Sequence, residues 1–306
     1  MKTRFIVNPR AANGLTGKKW PGILELLKSA YPFPFDSVFT EYPMHAVELS
    51  REAIEAGCDR IIAVGGDGTI NEVLNGFIRN DRLLRDDAAL GIMEIGTGAD
   101  FQRTLLLPAD PRKAVEGLGD AKPRKIDIGK AEYIALSGKR TTRYFINILD
   151  FGIGGAVVER VNRTSKRFGG RISFLWAILI TLFSYRNKNI RFRCDGGEWE
   201  SRTLNNFIAA NGRFFGGGLM PAPNASLTDG MFDIVLFGNL GRRVAIANLS
   251  RLRAGTHLDN PPVSVTRKSR AEAESEGEVF IDMDGEFVGR LPVKVEILPG
   301  LLPLLM

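Results

Sequence analysis

Residues 61–76 read I-I-A-V-G-G-D-G-T-I-N-E-V-L-N-G. An apolar, β-branched run ends at Gly65, and a helical pattern follows Gly68-Thr69 at once. Glycines at 65, 66 and 68 leave the backbone unshielded, so its N–H groups can approach a ligand closely. A loop that feeds a helix N-terminus favours an anion, through orphan N–H groups and the helix dipole together. Thr69-Ile70-Asn71-Glu72 reads as a capping box that fixes where the helix begins. Asp67 puts a carboxylate inside this cradle, where it repels phosphates unless a cation lies between. That points to Mg²⁺ and phosphoryl transfer. The same Gly-Asp-Gly cluster also occurs as a plain turn between strand and helix.

Strand and helix patterns alternate on both sides of this stretch. Arg4–Asn8, Asp36–Thr40, Arg60–Val64 and Leu90–Ile95 read as strands. Lys19–Ala30, Ala46–Ala56 and the segments after Thr69, Thr97 and Pro111 read as helices. Such spacing predicts βαβ units around a mainly parallel sheet. Ligands of these sheets lie outside the carboxyl ends of the strands. Asn8, Thr40, Gly65 and Gly96 each follow such an end and so share one rim. From about Pro123 the pattern turns to short strands joined by turn-rich segments, among them Arg124–Ile134, Tyr144–Leu149, Asn206–Ala210, Phe232–Phe237 and Val279–Met283. This predicts an antiparallel β-sandwich with helices near 155–185 and 241–254.

The chain has 306 residues, 44% hydrophobic and 25% charged, which suits a globular protein of two domains. Its formal net charge of +6 comes in small groups such as Arg163, Lys166 and Arg167, or Arg267, Lys268 and Arg270. Such groups suit a phosphate-bearing surface. No aromatic-interleaved basic motif of an RNA-binding module occurs, so nucleic acid is not expected. Cys58 and Cys194 form neither a disulfide framework nor, with His45 and His257, a zinc spacing; they fit a reduced, cytoplasmic protein. The apolar window Ile172–Phe183 is too short to span a bilayer. It reads as a buried helix, or as a lipid-lining one edged by Trp176 and Arg171.

GGDGT followed by N-E-V-x-N-G resembles the nucleotide-binding signature of the diacylglycerol kinase catalytic-domain family, which includes bacterial lipid kinases, sphingosine kinases and ceramide kinases. Shorter forms of GGDGT also occur in NAD kinases and phosphofructokinases. Further segments resemble the family in its own order. They are N-P-R-A-A-N-G from Asn8, T-E-Y-P-M-H-A from Thr40, G-T-G-A-D-F from Gly96, A-S-L-T-D-G from Ala225 and D-G-E from Asp284. In G-T-G-A-D-F the family's Asn is replaced by Ala99, which has no hydrogen-bonding side chain.

The resemblance implies an NAD kinase/diacylglycerol kinase-like fold. An α/β nucleotide-binding domain covers 1–123, a β-rich lipid- and metal-binding domain 124–297, and a tail, 298–306, returns to the first domain. It implies ATP and Mg²⁺. Asn8, Thr40, Gly65, Gly66, Asp67, Gly68, Thr69, Ile70, Asn71, Glu72 and Thr97 would hold the nucleotide. A structural metal would take the carboxylate of Asp229 and the carbonyls of Ser226 and Met231. Glu286, or its close rival Asp284, would accept the proton of the lipid hydroxyl, and Asp67 would organise Mg²⁺. The expected activity is transfer of the ATP γ-phosphate to diacylglycerol or a related lipid, by a cytoplasmic protein peripheral to the inner face of the membrane. A homodimer is left open. An NAD kinase-like enzyme and a catalytically weak lipid- or nucleotide-binding protein are the alternatives.

Overall fold

The computed structural model describes every residue except 96, 97, 165–179 and 182. The expectations for Gly96, Thr97, Lys166, Arg167, Arg171, Trp176 and most of the 172–183 window therefore lie outside the described residues. The chain divides into two compact units, Met1–Ile128 with Pro299–Met306, and Gly129–Leu298.

The first unit is an α/β layer structure. Strands β1 (Thr3–Val7), β2 (Phe35–Phe39), β3 (Arg60–Gly65) and β6 (Ala89–Glu94) carry its sheet; a small hairpin, β4 (Ile78–Arg79) and β5 (Arg82–Leu83), intervenes. β1 pairs in parallel with β2 and with β3, and β3 pairs in parallel with β6. The C-terminal tail adds a parallel neighbour, with Leu304 opposite Leu90. Every residue of β3 is buried, as expected of a parallel strand covered on both faces. Phe5, Val7, Ile62 and Val64 point to one face and pack with Trp20, Ile23 and Leu27 of helix α1 (Leu15–Ala30) and with Val115 and Leu118 of Pro111–Asp120. Helices α2 (His45–Glu55) and α3 (Asp67–Phe77) pack on each other. Their close approach needs Gly76, since a Cβ there would lie 2.4 Å from the Ser50 Cβ. Ser50 Oγ donates to the Val73 carbonyl (3.0 Å) across the same contact.

Helix α1 begins at Leu15, earlier than the sequence pattern suggests. Gly17 precedes the predicted start at Lys19, yet it is helical, and glycine is required there because a Cβ would come within 2.9 Å of the Pro9 carbonyl oxygen. The capping box is also corrected. α3 starts at Asp67, and the carboxylate of Glu72 accepts from the N–H groups of Met44 (3.0 Å) and Ala46 (3.2 Å) at the start of α2. Glu72 therefore caps its neighbour, because the close packing of α2 and α3 offers it that helix's orphan donors.

The second unit is a β-sandwich of antiparallel pairs. Strand β7 (Pro123–Ala135) comes first, and the predicted strand Tyr144–Leu149 is two strands, β8 (Arg140–Phe145) and β9 (Ile148–Gly152). β9 pairs with Asn206–Ala210 on one side and with Phe280–Met283 on the other. Alternation along Asn206–Ala210 sends Phe207 and Ala209 into a core with Phe151, Phe232 and Ile281. Ile208 and Ala210 face Ile148, Val235 and Phe237 on the other side. Helix Ile153–Thr164 follows β9 directly, and Arg242–Ala247 and Leu249–Ala254 supply the later helices. No described helix is long and apolar enough to cross a membrane.

Candidate functional site

In the first unit, the carboxyl ends of the strands are laced together. The N–H groups of Asn8, Thr40 and Ile95 donate to the carbonyls of Val64, Val7 and Gly65, at 2.9 Å each. This brings Asn8, Thr40 and the Gly65–Thr69 loop to one rim. Asn8 Nδ2 donates to Thr69 Oγ1 (3.0 Å), which ties the end of β1 to the first turn of α3. The two leading glycines have different reasons. A Cβ at Gly65 would lie 2.4 Å from Thr69 Oγ1, so Gly65 is required by packing. A Cβ at Gly66 would meet nothing within 4 Å, so that space is open to a ligand. The first intrahelical turn closes when Thr69 N–H donates to the Gly66 carbonyl (2.9 Å), so the Asp67 and Gly68 amides precede it. Ile70 and Asn71 are fully buried, Ile70 N–H donates to the Gly66 carbonyl (3.1 Å), and Asn71 accepts from Asn75.

A cavity of about 230 Å³ opens beside this loop, lined by Asn8, Arg10, Thr40, Tyr42 and Glu72 among others. Arg10 and Tyr42 are additions to the sequence-derived set. Tyr42 stacks on His45 with ring centres 4.2 Å apart, and its hydroxyl donates to Glu48 (2.7 Å).

Asp67 faces the segment after β6. Its Oδ1 accepts the Phe101 N–H (3.1 Å), and a Cβ at Gly98 would lie 3.3 Å from its Oδ2. Ala99, in the family's Asn position, adopts a left-handed backbone (φ 52°) at the start of the short helix Asp100–Thr104. Asn tolerates that conformation better than alanine does, which is one physical use of the family residue. The structure adds an acid that the motifs do not name. Glu94 ends β6 directly opposite Gly65, and its carboxyl is pushed up to about 9 by burial first, then by the charges of Asp67 and Asp100. The signal for it in the sequence was only its place at a strand end.

A folded-state pKa above the ordinary 4.5 means that the folded protein binds the Glu94 proton more tightly than the unfolded chain does. Stability from this group is present below about pH 4.5 and is lost as pH rises towards 9. Thermal melts from pH 5 to 9 should therefore show a decline that is shallower in Glu94→Gln. Identical slopes for the two proteins would remove Glu94 as the cause.

In the second unit, Asp284 lies within a two-residue turn and Glu286 directly follows it. Asp284 (φ 50°) and Gly285 (φ 82°) form the turn, with Met283 opposite Glu286. The two acids are therefore not two apart on one continuing strand, where both would face the same side. Asp284 is 4% exposed, and its carboxylate accepts from Ile146 (2.9 Å), Asn147 (3.0 Å) and Ile148 (3.0 Å). These are the amides at the break between β8 and β9. Glu286 Oε2 accepts from Arg143 Nη2 at 2.5 Å. Asp229 Oδ1 accepts the Met231 N–H (3.1 Å), and its Oδ2 lies 3.7 Å from Arg267, which also reaches Asp233 (3.4 Å). Ser226 Oγ accepts from the Thr228 N–H (3.4 Å). Among the described residues, no group of three His, Cys, Asp or Glu side chains is placed to hold a metal ion. The Asp229 set would instead combine one carboxylate with carbonyls, an all-oxygen donor set that fits a hard cation.

Residues 2–131 match the model of the diacylglycerol kinase catalytic domain. Residues 147–306 match that of the YegS C-terminal NAD kinase beta sandwich-like domain. The chain is 29% identical to a diacylglycerol kinase of Bacillus subtilis, over 95% of this chain and 91% of that protein. It is 30% identical to a protein of Chromohalobacter salexigens named probable lipid kinase YegS-like, over 84% and 78% of the two chains. The crystal structure of a diacylglycerol kinase from Bacillus anthracis superimposes with a TM-score of 0.71 at 22% identity, covering 99% of this chain and 96% of that one. A yeast NADH kinase shares the fold more distantly, with a TM-score of 0.51 at 12% identity. The glycine loop that sets Asp67 at a helix start thus stands in a chain matched along nearly its whole length, and the protein belongs to the diacylglycerol kinase catalytic-domain family, with a YegS-type C-terminal domain.

Proposed function

We propose that the protein transfers the γ-phosphate of ATP to a lipid hydroxyl, with diacylglycerol or a related lipid as acceptor. The observation that carries it is Asp67 at the first turn of α3, beside the open space over Gly66, on the carboxyl rim of a parallel sheet. Asn8, Thr40 and Tyr42 line the cavity that would take the nucleoside. The Gly66–Thr69 amides and the start of α3 would receive the phosphates. Mg²⁺ held at Asp67 would offset phosphate charge during transfer. A second, structural ion would take the Asp229 carboxylate with the Ser226 and Met231 carbonyls. Thr97 remains a proposed nucleotide contact.

The acceptor hydroxyl must lose a proton as its oxygen bonds to phosphorus and the bond to the departing ADP breaks. Glu286 is the proposed proton acceptor. Asp284 is committed to three backbone amides, whereas Glu286 is held by one arginine. Glu286→Gln keeps the shape and removes carboxylate basicity, so kcat should fall by about 10²–10⁴-fold with KM for ATP little changed. A kcat within a few-fold of the native value would exclude that role.

The function itself is tested with labelled ATP, Mg²⁺ and a panel of lipids in mixed micelles, with NAD as the competing acceptor. Phosphorylation of NAD and of no lipid would reject the proposal. The groups Arg242-Arg243 and Arg267-Lys268-Arg270 suit an anionic membrane surface. Co-sedimentation with anionic vesicles should then weaken with salt, since exposed charges are screened beyond about 8 Å at physiological ionic strength. Binding indifferent to both salt and anionic lipid would dismiss the electrostatic part.

A further inference from the structure

Residues 40–44 join β2 to α2 and form one wall of the cavity beside the glycine loop. They present Tyr42, a large aromatic side chain left 48% exposed. The ring is nonetheless held in place. It stacks on His45 with the two planes 9° apart, and its hydroxyl is bonded to Glu48. His45 is held in turn, since its Nδ1 accepts the Glu41 N–H (3.1 Å). The backbone is fixed as well: His45 N–H donates to the Tyr42 carbonyl (3.2 Å), and Glu72 takes the Met44 N–H. Met44 is left-handed (φ 67°), a conformation that is costly with a Cβ and persists where the surroundings over-determine it.

Tyr42 lines the cavity, whereas His45 is not among the described residues that do. The imidazole therefore covers the face of the Tyr42 ring turned from the cavity, and the other face is left for a ligand. Phosphate does not suit this wall, because Glu41 and Glu72 bring two carboxylates against one cation, Arg10. An uncharged planar ring does suit it, since stacking needs a flat, fixed partner and no charge. The volume agrees. An apolar cavity of about 150 Å³ takes benzene, so one of about 230 Å³ has room for a two-ring heterocycle. Asn8 lines the same cavity and bonds Thr69 in the first turn of α3, so a ring placed here lies next to the phosphate cradle.

We propose that Tyr42, backed by His45, is the stacking platform for the base of the bound nucleotide and makes the site prefer purine to pyrimidine nucleotides. This role rests on the nucleotide reading of the glycine loop given above, and Tyr42 adds to it the contact that recognises the base. A purine lays two rings on the platform where a pyrimidine lays one. Stacking a base on an aromatic side chain is worth about 5–150-fold in affinity. His45 acts through Tyr42 and is a positioning residue, which keeps the ring against the wall before the nucleotide arrives.

The test is isothermal titration of the full chain, in Mg²⁺, with ATP, UTP and inorganic tripolyphosphate, which share a triphosphate and differ in the base. In the native protein ATP should bind at least about fivefold more tightly than UTP. Tyr42→Leu removes the ring at an exposed position, with thermal melts confirming that it folds. It should weaken ATP by about tenfold or more and leave tripolyphosphate within about twofold of native. Tyr42→Phe keeps the ring and loses only the bond to Glu48, so it should restore most of the ATP affinity. Equal native affinities for ATP and UTP overturn the proposal. So does a Tyr42→Leu protein that weakens ATP and tripolyphosphate alike. ATP binding untouched by Tyr42→Leu removes the platform alone, whereas a native protein that binds neither ATP nor tripolyphosphate removes the nucleotide reading and the platform together.

Discussion

Asp67→Asn is expected to lower kcat by about 10²–10³-fold, the scale of losing one preorganised electrostatic contact to a reacting phosphate. Its melting temperature should stay within a few degrees of the native value. The amide keeps an oxygen for the Phe101 N–H, so the contact that ties α3 to the segment after β6 survives. What disappears is the negative charge beside the open space over Gly66. The charge also acts on Glu94, whose raised proton affinity is second in cause only to burial. Removing it should let Glu94 ionise at lower pH, so the pH-dependent loss of stability should become shallower. Activity is measured with labelled ATP at saturating Mg²⁺, and stability by matched melts. A kcat reduced by less than about tenfold, with an intact fold, would contradict the role given to Asp67.

The second large effect is on the fold of the other unit. Asp284→Ala is expected to destabilise it by about 3–5 kcal/mol, because three buried N–H groups lose a charged acceptor together. At about 2–4 °C per kcal/mol this is a fall of roughly 10 °C in the transition of that unit. The affected amides, Ile146 to Ile148, lie where β8 stops and β9 starts, so their protection from hydrogen exchange should drop first. Asp284→Asn should fall between the two, since one oxygen remains where two accepted. Lost activity with an unchanged melt and unchanged exchange would show that Asp284 acts chemically and does not merely hold the turn.

The rim of the first unit was legible in the sequence because each part of it is local. A strand end, a glycine turn and a helix start follow one another within Arg60–Phe77. The parallel sheet was legible for the same reason, since βαβ spacing leaves little other choice of topology. The sandwich was legible from turn spacing, although one strand was read across a break. That break is explained by Asp284, a residue 136 to 138 positions away in the chain.

What the sequence determined by itself was the identity of the loop residues and the order of the elements, both set by backbone preferences over a few positions. Only the tertiary structure decided which carboxylate each backbone donor would find. Glu72 went to the start of α2, Asp284 to the break after β8, and Glu94 beside Asp67. It also set Asp150 against Asp282, two unremarkable strand residues that become a pair only through antiparallel register. The physical reason is common to all four. Burial makes a charge depend on its nearest partner, and nearest partners across a sheet or between helices are chosen by packing rather than by spacing along the chain.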